Sequence, residues 1–199
     1  MIWNEEAQLW IPDDSVKSDK CWRFIKRNTH DLDTGVKFVK KRSVALQAGA
    51  HIGIFPNHLA GIFDRVIAFE PDPNLFACFN RNALPNVEAY NFALTSVTGD
   101  VKFHGNVSGV GHVADDGKLT VKGFAYDEMD VDVNFIHLDV EGHEVEALRG
   151  AASMIEACSP VLQLEILPRF RDGIYDYVQS IGYRVACDTC RDHVFVRAS

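Results

Sequence analysis

The sequence predicts an α/β domain whose mostly parallel sheet is covered on both faces. Three observations lead there. Short, mostly apolar runs recur along the chain, each the length of a buried strand. Segments with helical apolar spacing separate them, so successive strands are joined by crossovers and lie parallel. The last two runs, Tyr183–Ala186 and His193–Arg197, are close enough to close the sheet as an antiparallel hairpin.

Taken in order, residues 1–42 are polar and interrupted, an N-terminal arm with one helix around Asp19–Arg27 and Trp3, Trp10 and Trp22 as isolated anchors. Ser43–Gln47 is a buried strand running into a tight turn at Gly49. Ile54–Phe63 has helical spacing, and Pro56 is tolerated there because the first helical turn has no partner for its N–H. Arg65–Phe69 is the second strand, Asn74–Asn82 a helix and Val87–Asn91 the third strand. Residues 94–124 break the rhythm. They are rich in Gly, Thr and Val, with alternating pieces at Asp100–His104 and Lys118–Lys122 that predict an inserted antiparallel hairpin. Val133–Leu138 is the fourth strand, Glu144–Glu156 a helix, Pro160–Glu165 the fifth strand and Asp172–Ile181 the last helix.

The 199 residues make one domain, with 47% apolar content, no internal repeat and no linker. The net charge of -8 disfavours a nucleic-acid partner. The one dense basic run, Lys37, Lys40, Lys41 and Arg42, lacks interleaved aromatics and reads as a solvated segment. No apolar run approaches a membrane span, and the acidic start lacks the features of a signal peptide. Five scattered cysteines suit a reducing compartment, so a cytoplasmic protein is expected. Cys187 and Cys190 form a lone CxxC between two strands, where a turn with incidental thiols is expected. Nothing demands an oligomer.

In open α/β sheets, ligands sit beyond the carboxyl ends of the strands. Those ends carry polar or glycine-rich groups here: Gln47-Ala-Gly49-Ala-His51-Ile-Gly53, then Glu70-Pro71-Asp72, Asn91-Phe-Ala93, Asp139-Val-Glu141-Gly142-His143-Glu144, and Glu165. A dinucleotide fingerprint starting at Gly49 needs glycines where His51 and Ile54 stand, which argues against NAD or FAD. A glycine turn followed by an acid 17 residues past Gly53 fits a ligand with a ribose and no phosphates, because Glu70 can accept both ribose hydroxyl hydrogens.

Gly49-Ala-His-Ile-Gly53, Phe69-Glu70-Pro71 and Leu138-Asp139-Val140-Glu141-Gly142-His143-Glu144 resemble the FkbM family of S-adenosylmethionine-dependent methyltransferases, over residues 43–166. The resemblance implies a Rossmann-like class I methyltransferase fold, with a mostly parallel seven-stranded sheet and a C-terminal antiparallel hairpin. It implies S-adenosyl-L-methionine as cofactor and methyl transfer to a hydroxyl of a sugar or other small molecule. The expected cofactor-binding residues are Gln47, Gly49, Ala50, His51, Gly53, Glu70, Pro71, Asn91, Ala93 and Asp139. The family has an acid where Gln47 stands, able to hold the methionine ammonium, and an asparagine where His51 stands. Glutamine still accepts a hydrogen bond but contributes no charge.

Methyl transfer to a hydroxyl needs in-line alignment and removal of the hydroxyl proton, which a general base accelerates by about 10²–10⁴-fold. The expected catalytic cluster is Asp139, Glu141, His143 and Glu165, with Asp139 orienting cofactor and acceptor and His143 or Glu141 as the base. No residue is assigned as a resident metal ligand, although Asp139 and Glu165 could hold a divalent ion that acidifies the acceptor hydroxyl. Helix capping explains Glu144 as well as catalysis does. His137 reads as strand packing, and the acidic run Asp127–Asp132 as a solvated edge. His104, His112 and the stretch 105–111 read as a hairpin tip, with a substrate-covering loop as the functional alternative. A catalytically weakened cofactor- or partner-binding domain on the same fold is the other expected function.

Overall fold

The computed structural model describes residues 1–13, 15–105, 111–189 and 191–198. The arm opens with a two-stranded hairpin, β1 (Ile2–Asn4) and β2 (Leu9–Ile11), followed by helices α1 (Ser15–Asn28) and α2 (Leu32–Val36). The core then alternates β3 (Val44–Ala48), α3 (Ile54–Ala60), β4 (Arg65–Phe69), α4 (Pro73–Asn82) and β5 (Val87–Tyr90). An insertion follows, with β6 (Ala93–Leu94), β7 (Gly99–His104), β8 (His112–Val113) and β9 (Leu119–Phe124). The chain ends with β10 (Phe135–Leu138), α5 (Glu144–Arg149), α6 (Ala152–Cys158), β11 (Val161–Glu165), α7 (Arg171–Ser180), β12 (Tyr183–Asp188) and β13 (Asp192–Arg197).

The main sheet has seven strands in the order β12-β13-β11-β10-β3-β4-β5. Six run in one direction, while β13 runs antiparallel to its neighbours β11 and β12, so the sheet is mixed as expected. Because side chains alternate along a strand, each apolar run supplies two layers. Leu46, Ile67, Phe69, Ile136 and Leu164 pack with Leu148, Ile155 and Val178 of α5–α7. Ala45, Val66, Ala68 and Phe135 face the other way, toward Leu32, Leu59 and Phe79 of α2–α4.

Four local differences from the sequence expectation have physical causes. The expected helix Ile54–Phe63 stops at Ala60, and Phe63 leaves the helix to stack on Phe135 with ring centres 5.7 Å apart. The expected helix Glu144–Glu156 is two helices. Gly150 lies between them, where a Cβ would meet the Thr95 carbonyl oxygen at 2.0 Å. Asp127 then accepts the N–H groups of Ser153 and Met154 at the start of α6, at 2.9 and 3.0 Å. The expected insertion hairpin is present as β7 and β9, and it belongs to a four-stranded sheet, β6-β9-β7-β8, in which β6 pairs parallel with β9. The arm holds β1, β2 and α2 besides the expected helix. Residues 106–110 of the expected hairpin tip and Cys190 of the CxxC lie outside the described residues.

The arm is fastened to the core by two amides. Asn82 donates to the carbonyls of Trp10 and Ile52, at 2.9 and 2.8 Å, and accepts from the Trp10 N–H at 2.8 Å. Gln163 accepts the Gly35 N–H at 3.0 Å and donates to the Asp31 carbonyl at 3.0 Å and to Asp192 at 2.6 Å. Among the described residues no helix is long and apolar enough to cross a membrane.

Candidate active site

The carboxyl ends of β3, β4 and β10 open into one cavity. Its floor begins at the glycine turn. The N–H groups of Gly49 and Ala50 both donate to the Phe69 carbonyl, at 3.1 and 3.0 Å, binding the turn to the neighbouring strand. Gly49 has φ 81°, and a Cβ there would lie 1.9 Å from the Asp139 carbonyl oxygen, so only glycine lets these two strand ends meet. His51 follows at φ 53°, a region where histidine is tolerated better than most side chains.

Glu70 stands at the end of β4, 5% exposed. One oxygen accepts the His51 N–H and the other the Asp72 N–H, both at 2.8 Å. Each oxygen keeps acceptor capacity for a further hydroxyl. Burial pushes the carboxyl up to about 8, against the pull of those two N–H donors.

At the end of β10 the chain turns through Glu141 at φ 56° and Gly142 at φ 106°. Glu144 is buried and accepts the Gly142 N–H at 3.1 Å, which closes the turn and gives Glu144 a structural role. Burial raises the Asp139 carboxyl, with His137, Arg191 and His51 pulling it back. Glu141 is raised by burial and by the charge of Asp139. His143 is pushed down by burial, so its imidazole is neutral at physiological pH, and its Nε2 is enclosed without a hydrogen-bond partner.

Of the expected residues, Gly49, His51, Glu70, Pro71, Ala93, Asp139, Glu141 and His143 line the cavity. Five others stand behind it. Gln47 is fully buried, donates to the Ala48 carbonyl at 2.9 Å and leaves its Oε1 without a partner. Ala50 is buried, and Gly53 starts α3 at φ 94° with Phe79 against it. Asn91 donates to the carbonyls of Glu70 and Pro71, at 2.8 and 3.1 Å, and so holds the loop that carries Glu70. Glu165 is buried in an ion pair with Arg191. His137 is buried edge-on to Phe55, consistent with the packing expected for it.

The walls come from segments without a motif. Helix α1 contributes Cys21 and Phe24, the insertion contributes Phe103 and His112, and the turn before β13 contributes Arg191. Cys21 Sγ lies 3.6 Å from His51 Nε2, and burial pushes the thiol up to about 11. His112 was readable only as part of a hairpin tip, and Arg191 only as the residue after the CxxC. Neither carried a signal of its own, because their approach to the strand ends depends on how the arm and tail dock.

The two buried Glu70 oxygens, each with acceptor capacity to spare beside Gly49 in the cavity, fit the ribose of an adenosyl ligand.

A family model described as the methyltransferase FkbM domain matches residues 47–185. The hexuronic acid methyltransferase AglP of Haloferax volcanii is 31% identical over 108 residues, 49% of this chain and 45% of that protein. The chain thus spans about half the length of this curated relative. Among solved structures, the methyltransferase FkbM of Methylobacillus flagellatus KT matches with a TM-score of 0.57 at 21% identity, over 95% of this chain and 56% of that one. Magnesium protoporphyrin IX methyltransferase of Synechocystis PCC 6803, solved with bound SAM, matches with a TM-score of 0.57 at 13% identity, over 92% and 85%. These likenesses show the class I methyltransferase fold.

Proposed function

We propose that this chain, which belongs to the FkbM methyltransferase family, is an S-adenosylmethionine-dependent O-methyltransferase acting on a hydroxyl of a sugar or similar small molecule. The observation that carries the proposal is the convergence of Gly49, Glu70 and Asp139 on one cavity. The curated relative, named as a hexuronic acid methyltransferase, supports a glycan-type acceptor.

When bound, the cofactor supplies an electrophilic methyl on a positively charged sulfur. The chain's own residues do the rest. Glu70 accepts the two ribose hydroxyls with the lone pairs left free by His51 and Asp72. Gly49, which lines the cavity, lets the ends of β3 and β10 close against each other beneath the ligand. Gln47, fully buried behind the cavity, braces the glycine turn through the Ala48 carbonyl and does not meet the ligand. Asp139 orients the acceptor hydroxyl, and the proton passes to one of two neighbours on the same loop, Glu141 or His143. Phe24, Phe92 and Phe103 give apolar surface for the face of a sugar ring, and exclude water from the reacting oxygen.

Isothermal titration with S-adenosylmethionine and S-adenosylhomocysteine, repeated on Glu70→Ala, tests the cofactor half. Micromolar binding lost in the variant is expected, followed by turnover in a screen of glycans and polyols. Absence of binding by the wild type at millimolar cofactor would overturn the reading in favour of a partner-binding domain.

A further inference from the structure

Asp139, Glu141 and Glu165 each bring a carboxylate oxygen within 4.8 Å of the others. Three carboxylates so placed have the hard-oxygen chemistry that attracts Mg²⁺ or Ca²⁺. A cation of the chain's own already stands there. The Arg191 guanidinium is ion-paired with Glu165, whose side chain is 5% exposed. Its charge also acts on Asp139 and Glu141, favouring the ionised form of both.

Arg191 is held from several sides. Its N–H and that of Asp192 donate to Thr189 Oγ1, at 3.3 and 2.9 Å, and its carbonyl accepts from the Ile166 N–H at 3.2 Å. Its Cζ lies 4.8 Å from the centre of the Phe24 ring on α1. The guanidinium therefore joins the end of β11 to the arm while it faces the cavity. A planar donor fork paired with a buried carboxylate is not readily displaced, and a dication would have to approach against its charge.

We propose that Arg191 is a built-in counter-cation and positioning residue, whose guanidinium fills the carboxylate cluster, keeps a divalent metal out of it and ties α1 across the acceptor side of the cavity. The expected divalent-ion alternative at Asp139 and Glu165 is thereby disfavoured on the chemistry of the donor set. The positioning part rests on the methyltransferase reading, whereas the exclusion of metal stands without it.

The test uses Mn²⁺ as probe, with uptake read by the loss of its free electron paramagnetic resonance signal. Wild type and Arg191→Lys are expected to leave the signal unchanged at micromolar metal. Arg191→Met is expected to take up one equivalent, and Arg191→Met with Asp139→Asn to lose that uptake. Turnover of wild type is expected to survive chelation, to fall in Arg191→Met and to recover in part in Arg191→Lys. One equivalent bound by wild type would overturn the proposal. So would an Arg191→Met protein with unchanged circular dichroism that takes up no metal. Mn²⁺ uptake needs neither cofactor nor acceptor, so a failure of the methyltransferase reading leaves this result separately readable.

Discussion

Glu70 accepts the backbone N–H of His51 at 2.8 Å, tying the end of β4 to the glycine turn after β3. The same carboxylate is the proposed ribose acceptor, and burial raises it to about 8. Ribose hydroxyls donate to the ionised form, so cofactor affinity should rise with pH below about 8, by up to about tenfold per unit, and level off above it. Glu70→Gln should bind more weakly and show a flat profile in calorimetry. In the cofactor-free protein the sign is opposite. A carboxyl raised from 4.5 to about 8 on folding stabilises the fold below pH 4.5, and that contribution fades as the pH climbs through about 8. Denaturant melts across this window should show the loss in wild type and not in Glu70→Gln.

Two glycines should respond in opposite directions to alanine. At Gly49 the new Cβ would lie 1.9 Å from a carbonyl oxygen in a left-handed backbone, so Gly49→Ala should lose about 2 kcal/mol or more together with cofactor binding. Gly173 lies in α7 with nothing within 4 Å of an added Cβ. Gly173→Ala should gain about 0.5–1 kcal/mol with turnover unchanged. Urea melts read both.

The loop after β10 separates orientation from proton transfer. Asp139→Ala should lower kcat by about 10²-fold or more. Glu141→Gln and His143→Ala discriminate the base. Whichever group takes the proton should cost about 10²–10⁴-fold in kcat, and its loss should remove the acid limb of the pH–rate profile. The other variant should retain that limb.

Phe24, half exposed on α1, faces the cavity without joining its floor. Phe24→Ala should raise the acceptor KM severalfold while leaving the affinity for S-adenosylhomocysteine within about twofold. Equal losses for both ligands would place Phe24 in the cofactor seat.

The parallel core was legible because β3, β4, β10 and β11 are buried on both faces and therefore mostly apolar. The loops that follow them were legible because each sudden change from apolar to glycine or acid marks a strand end. The hairpin of β1 and β2 was not, since three-residue strands are too short to set a period. The break at Gly150 depends on the approach of Thr95, a contact between distant segments. Eight of the expected residues reach the cavity, whereas the depth of Gln47 and the arrival of Arg191 are tertiary facts that no local pattern carries.

The cavity's floor is cut from strand ends locked by the sheet, while its walls come from an arm, an insertion and a tail turn far apart in the chain. Phe24 and His112 lie outside the seven-stranded sheet, so exchanges there should leave its ladders in register. Such a division lets selection, natural or in the laboratory, drift toward new acceptors by small steps while the chemistry beneath is inherited intact. Directed libraries for altered acceptor choice belong in those walls.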